Sequence, residues 1–470
     1  MTSQQDDNQT AADDYQTYGE IVWGQFKKYR ISYWSLYGVA ALFVLAMVSP
    51  VLAMNIPFYL YVPEGVGPET LQGTSYPWFV ALFDQNFFDS GVDIFFNFLL
   101  FFLPFAFLTW FVTNKVGNPA EADPSDPPIG FFAGVGILLA AFFVVVVLLN
   151  GLLSKEVALA LVGIGITAVV VRAATEKTDE RGRRRLFVAL ATVVGTIGFA
   201  IIYYHGFRQP FVDYQALVEL DDGVRAIFPP IEYSYRDVNL LATSEPPSWQ
   251  HWLGTDAIGR DVFTRILYGT RISLTIGVVA VGIYATIGII LGSLAGYFGG
   301  RVDALILRLI EIMMCFPVIF LLLTIAGFIE EASVFHIMLI IGLTGWTGIA
   351  RLVRGEFLRL RNQDFVQAAV ALGFNEMRII FRHVMPNAIQ PVYVAATFGI
   401  AGAILIEATL AFLGVGPPDI PSWGQILTAG RSTQNMTMIL ASGFAIFLVI
   451  SLLNLIGEGL RDATDPKLRK

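Results

Sequence analysis

Ten long apolar runs decide what this chain can become. They lie at roughly 31–55, 94–113, 130–150, 153–171, 186–205, 272–297, 304–329, 332–352, 390–415 and 436–457. Most reach the ~20 residues that a bilayer core demands of a helix. Inside lipid every backbone amide must find its partner within the segment, so runs of this length read as helices. The run at 153–171 is the weakest, because Lys155 and Glu156 cut its uncharged part to about fifteen residues, below the usual ~17. Only 14% of residues are charged, against about a quarter in soluble domains. The fold class is therefore an all-α integral membrane protein.

Basic residues set the orientation. Lys27, Lys28 and Arg30 precede the first run, which argues for an uncleaved anchor with a cytoplasmic N-terminus. Residues 1–25 are polar and acidic and read as a disordered cytoplasmic tail. The loop 56–93 has no Lys or Arg and 414–435 has only Arg431, whereas 172–185 and 351–386 carry six basic residues each. Ten spans with both termini in the cytoplasm put the rich loops inside and the poor ones outside. The loop 114–129, with only Lys115, does not help.

The polar stretch 359–387 stands apart from the runs. Phe365, Ala368, Ala369 and Leu372 share one helical face, with Asn362 or Asp364 as cap and Gly373 just past the end. A second short helix is capped by Asn375, places Met377, Ile380, Phe381 and Val384 on one face, and stops at Pro386. Two amphipathic helices too short to span, joined by a glycine, suit docking into another protein's groove. They would also suit lying on the membrane surface.

Gln367-Ala368-Ala369, Gly373 and Met385-Pro386 resemble the EAA loop of ABC-importer permeases. That pattern is Glu-Ala-Ala, three residues, Gly, nine residues, Ile-x-Leu-Pro. Both alanines, the glycine and the proline match in spacing, while Gln367 replaces Glu, His383 replaces Ile and Met385 replaces Leu. HWLGTDAIGRD (251–261), GYFGGRVDA (296–304), EATLAFLGVG (407–416) and GLRDATDP (459–466) are similar to the C-type permease of the dipeptide, oligopeptide and nickel branch. The resemblance covers 26–56 loosely and 229–470 closely.

This resemblance implies a type I ABC importer core of six transmembrane helices plus four inserted ones. The resulting order is tail 1–25, first span 26–56, outer loop 57–92, inserted region 93–205, outer loop 206–268, core 269–463 and cytoplasmic tail 464–470. The aromatic-rich 57–92 is expected to lie along the headgroups, and the weakly charged insertion to be a peripheral, lipid-facing bundle. The resemblance further implies that Gln367, Ala368, Ala369, Gly373 and Pro386 form an ATPase-docking coupling loop. Its partners would be a homologous B-type permease, two ABC ATPase subunits, an extracytoplasmic solute-binding protein and membrane lipid. Peptides are the expected cargo, with nickel or another small solute as the alternative.

Gly292, Gly296 and Gly300 recur every four residues and predict a close helix–helix seam near the pathway. Glu407, an intramembrane acid, reads as a gate or pathway residue or a substrate contact. In the outer-mouth motif, Gly254, Thr255, Asp256, Gly259, Arg260 and Asp261 read as a scaffold, with Asp256 or Asp261 paired to Arg260 or Arg265. Arg308 and Glu311 are expected to pair locally. Cys315 reads as a buried apolar residue.

No metal-ligand constellation, nucleophile elbow or nucleic-acid signature emerges. Nor does any GxxxxGK[ST] loop, so no cofactor is expected on this chain, and ATP and Mg²⁺ would sit on the partner ATPases. The chain is thus read as a transport subunit of the plasma membrane and not as an enzyme. A secondary carrier and a non-transporting assembly protein are the rival classes.

Overall fold

The computed structural model describes residues 18–66, 71–100 except 83, 85, 86, 89, 94 and 98, 212–329 except 222, and 333–465. The inserted runs from 101 to 205, the loop 172–185 and both chain ends therefore lie outside the described residues. Helix α1, Tyr18–Lys28, is followed by α2, Arg30–Leu52. The remaining long helices are α3, Val262–Phe298; α4, Gly300–Cys315; α5, Val318–Gly327; α6, Val334–Thr344; and α7, Trp346–Leu360. After these come α8, Asp364–Ala371; α9, Gln390–Phe412; α10, Trp423–Ser432; and α11, Met436–Thr464.

Among the described residues, five segments are long and apolar enough to cross a membrane: α2, α3, α6 with α7, α9 and α11. The pair α4 and α5 makes a sixth, bent by 84°. The sequence gives no sign of a break inside 304–329 except Pro317. That proline has no N–H to continue a helix and stands as the N-cap of α5. In contrast, the run at 332–352 extends through Gly345 to Leu360.

Residues 18–25, expected in a disordered tail, are helical. Trp23 and Phe26 pack against Ile456 and Leu460 of α11, an apolar stripe hidden by the acidic composition of its surroundings. The outer loop 57–92 contributes two strands to a small sheet. Strands β1, Tyr59–Val62, β2, Gly73–Ser75, and β3, Arg225–Ile227, form an antiparallel sheet in the order β2-β1-β3. Leu60 sits opposite both Ser75 and Ala226, so the two outer loops fold as one unit. Leu60, Val62, Trp78, Phe88 and Tyr214 are buried in its core, while Tyr76 and Phe79 remain exposed. The described fold is thus mostly helical, with this small sheet added.

The insertion does not begin as a lipid-facing element. Val92 and Phe96 join the buried cluster between α2, α3 and α6. Asp93 meets Arg271 of α3 at 3.2 Å, and Arg271 also donates to Ala46 O at 2.7 Å and Met47 O at 3.3 Å. Phe96 and Tyr268 stack near the guanidinium. Both charges are buried, so removing one strands the other. Asp93→Ala should destabilise the chain by about 3–5 kcal/mol, and Asp93→Leu with Arg271→Met by much less. Thermal unfolding of the two variants in detergent checks this.

Asp237, in the outer unit, accepts from Asn55 Nδ2 at 2.8 Å and from the Ser234 amide at 2.7 Å. Burial pushes its carboxyl up to about 6. The folded state therefore holds a proton between pH 4 and 6 that the unfolded chain has lost, so stability falls as pH rises through that window. Asp237→Asn should flatten this slope, by about 1–2 kcal/mol after discounting for the side chain's partial exposure. An amide there could also donate to Asn55 Oδ1, which lacks a partner among the described residues. The check is the difference between the two proteins' stability-against-pH curves.

Candidate functional site

The hairpin between α7 and α9 is built on a buried strip. Val366 and Ala369 of α8, with Ile379, Ile380 and Val384, pack under Val353, Phe357 and Leu360 of α7. The predicted α8 face is turned the other way. Phe365 and Leu372 are 43% and 72% exposed, Ala368 is exposed, and of that set only Ala369 is buried. Met377 and Phe381 are exposed as well, whereas Ile380 and Val384 are inside. The segment carries two apolar faces, one packed under α7 and one exposed among the described residues.

Local geometry follows the cap signals in part. Gly373 has φ +74, the Phe374 amide bonds back to Ala369 O at 3.2 Å, and the helix ends on a left-handed glycine. Asn375 caps the next turn through the Met377 amide. Neither Asn362 nor Asp364 caps α8: Gln363 occupies that position without a side-chain bond. Pro386 does not stop the helix either. Residues Ile379–Val384 form a π-helix in which the Met385 amide reaches Ile380 O, and the helix passes on through Met385–Ala388. The wide turn absorbs the missing proline donor. Gln367 Nε2 donates to Arg361 O at 3.0 Å, a bond that an ionised Glu could not make.

Two arginines fasten the hairpin's base. Arg354 grips Asp303 of α4 with both ends of its fork, at 2.5 and 2.6 Å. Arg361 donates to Gly296 O and Tyr297 O, at the end of α3. Sequence reading missed both links, because partners 51 and 65 residues apart leave no local pattern.

Above that base, α3 lies against α7 along a glycine seam. A Cβ on Gly292 would sit 2.5 Å from Ala350 O, and one on Gly296 2.7 Å from Arg354 O. Gly288, overlooked in the sequence, continues the seam, with Trp346 O 2.9 Å away. Gly300 is not part of it. The helix has already ended at Phe298, and Gly300 starts α4 with φ +53 and open space beside it.

Glu407 of α9 is 2% exposed. It lies beside Ser422, the N-cap of α10, and among the described residues its Oε2 has no hydrogen-bond partner. Here α9 and α10 are packed so closely that a Cβ on Gly424 would meet Ala408 Cα at 2.6 Å.

In the outer-mouth motif Asp256 pairs with both Arg260, at 2.7 Å, and Arg265, at 3.3 Å. Asp261 caps α3 through the Thr264 amide and meets His251 Nδ1 at 2.9 Å. Thr255 bonds Ala242 O. Gly254 and Gly259 hold φ values of +75 and +79 where Glu245 O and Asn239 O leave no room for a side chain. Among the described residues no cluster of His, Cys, Asp or Glu could hold a metal ion. Arg308 and Glu311 pair on the surface at 2.8 Å, and Cys315, expected inside, is exposed because α4 turns that face outward.

Comparison with known proteins adds a family. Residues 288–470 match the binding-protein-dependent transport system inner membrane component family. The oligopeptide transport system permease protein OppC of Bacillus subtilis is 39% identical over 52% of this chain and 82% of its own length. The dipeptide transport system permease protein DppC of Alkalihalophilus pseudofirmus is 41% identical over 52% of this chain and 82% of its own length. The glutathione transport system permease protein GsiD of Pectobacterium atrosepticum is 39% identical over 50% of this chain and 78% of its own length.

Proposed function

This chain belongs to the binding-protein-dependent transport inner membrane component family, and from that premise we propose that it is the permease subunit of an ATP-driven importer of peptides. The relatives' names supply the cargo: oligopeptides, dipeptides and glutathione. Nickel or another small solute is the alternative within the family. The observation that carries the energy-coupling part is the uncovered apolar face of the hairpin, Phe365, Val370, Leu372, Met377 and Phe381. In water such a ridge is unfavourable, and seating it in a groove of an ATPase subunit removes that cost.

In this reading the described spans form the six-helix core, four further helices lie in 93–205, and both termini are cytoplasmic. A B-type permease completes the path, each permease docks one of two ATPase subunits, and an external binding protein delivers solute. Gln367, Ala368, Ala369 and Gly373 lie at the ATPase contact, with Pro386 at the return to the membrane. ATP and Mg²⁺ are held by the ATPases, whose closure moves the hairpins and tips the spans between outward- and inward-open states. Gly292 and Gly296 keep the helix pair beside the path rigid, and Glu407 steadies the α9–α10 corner near the outer gate. The outer-mouth residues Gly254 to Asp261 hold the extracytoplasmic unit on α3.

Deleting this chain in its host and measuring uptake of labelled trialanine and of ⁶³Ni²⁺ tests the cargo. Loss of peptide uptake alone, restored by the wild-type chain, is the expected result. Unchanged peptide uptake with lost nickel uptake would move the assignment to the metal branch.

A further inference from the structure

We propose that Asp303–Arg354, together with Arg361, is a clamp across a glycine joint that makes the hairpin and the bent span move as one body. The joint is Gly299–Gly300, where α3 ends and α4 begins. Both residues are left-handed, with φ +64 and +53. Two consecutive glycines permit many chain directions, so by themselves they would let α4 swing freely from the end of α3.

The two arginines hold opposite sides of this joint. Arg361 binds the carbonyls of Gly296 and Tyr297, which belong to the last turn of α3, where carbonyls lack helical partners. Arg354 binds Asp303 in the first turn of α4, where a carboxylate is also favoured by the helix N-terminus. Arg354 comes from the middle of α7 and Arg361 from the residue just after its end, so both sit on the stretch that leads into the hairpin. The Arg354–Asp303 fork is bidentate, which fixes angle as well as distance, and its side chains are only 25% and 17% exposed. A push on the hairpin therefore reaches α4 and the bent pair through side chains, not through the pliable glycines. Asp303 and Arg354 are positioning residues in this scheme, and neither touches solute or nucleotide.

The clamp's role in transport rests on the docking reading above, but its rigidity does not. With Cys315→Ser as background, spin labels at Leu305→Cys and Glu376→Cys in the full chain in nanodiscs report the α4-to-hairpin distance. The wild-type pair should give one narrow distribution, Asp303→Asn a broadened one, and Asp303→Arg with Arg354→Asp a narrow one again. Arg361→Ala, which leaves the ion pair intact, should broaden it in part. An equally narrow distribution in Asp303→Asn, or broadening that the exchanged pair does not reverse, overturns the clamp.

In the assembled transporter, Asp303→Asn should retain its ATPase subunits yet carry about tenfold less trialanine per ATP, with recovery in the exchanged pair. An unchanged ratio overturns the clamp's part in coupling. A wild-type chain that recruits no ATPase would instead overturn the docking reading and leave the distance result standing.

Discussion

Gly292→Val is expected to destabilise the chain by at least about 3 kcal/mol, the upper end of the overpacking range. The new Cβ would sit 2.5 Å from Ala350 O and 2.9 Å from Val353 Cβ, and the nearest obstacle is backbone, which cannot rotate away. Relief requires α3 and α7 to separate, which opens the buried contacts of Ile349, Val353 and Phe357 along the seam. The control is Gly355→Ala, in α7. Among the described residues nothing beyond its own helix backbone lies within 4 Å of a Cβ there, so the change should be neutral or stabilising by about 0.5–1 kcal/mol, as for glycine in any helix interior. Thermal unfolding of both variants in detergent decides the matter. Equal melting temperatures would mean that the two helices are not in backbone contact.

Phe365→Asp combined with Leu372→Asp should weaken capture of the ATPase subunits by a factor of about 100 or more, because two carboxylates would be buried unpaired in the groove. The folding of the isolated chain should change by no more than about 0.5 kcal/mol per site, since both side chains are exposed in it. Val366→Asp should do the reverse. Val366 is 1% exposed under α7, so its carboxylate would loosen the hairpin itself. Pull-down of co-expressed ATPases, set beside each variant's melting temperature, separates lost docking from lost folding. Full capture by the double variant would show that this ridge is not the contact.

Much of this molecule was legible because the bilayer permits so few solutions. The first span, the runs after 272 and the tight glycine spacing all follow from length and composition. Gly373 and Asn375 were readable as caps because their chemistry is local. The orientation of α8 was not. Phe365, Val366, Ala369, Val370 and Leu372 give it two apolar faces, and a 3.6-residue period cannot say which one points inward. Gly288 has the same spacing as Gly292 and Gly296 and continues the seam, whereas the helix end at Phe298 removes Gly300 from it. The sheet was hidden because its strands are three or four residues long and Leu60 pairs with residue 226 across the whole insertion. The Arg354 and Arg361 links depend on tertiary approach alone.

In the proposed transporter a hairpin on the cytoplasmic side receives force from a separate ATPase. The most direct test of this is labelling of Leu372→Cys, in a Cys315→Ser background, with a membrane-impermeant maleimide. No labelling is expected in intact cells, with labelling in inside-out vesicles stripped of ATPase subunits and protection when those subunits are restored. Labelling of intact cells, or no protection on restoring the ATPases, would contradict this arrangement.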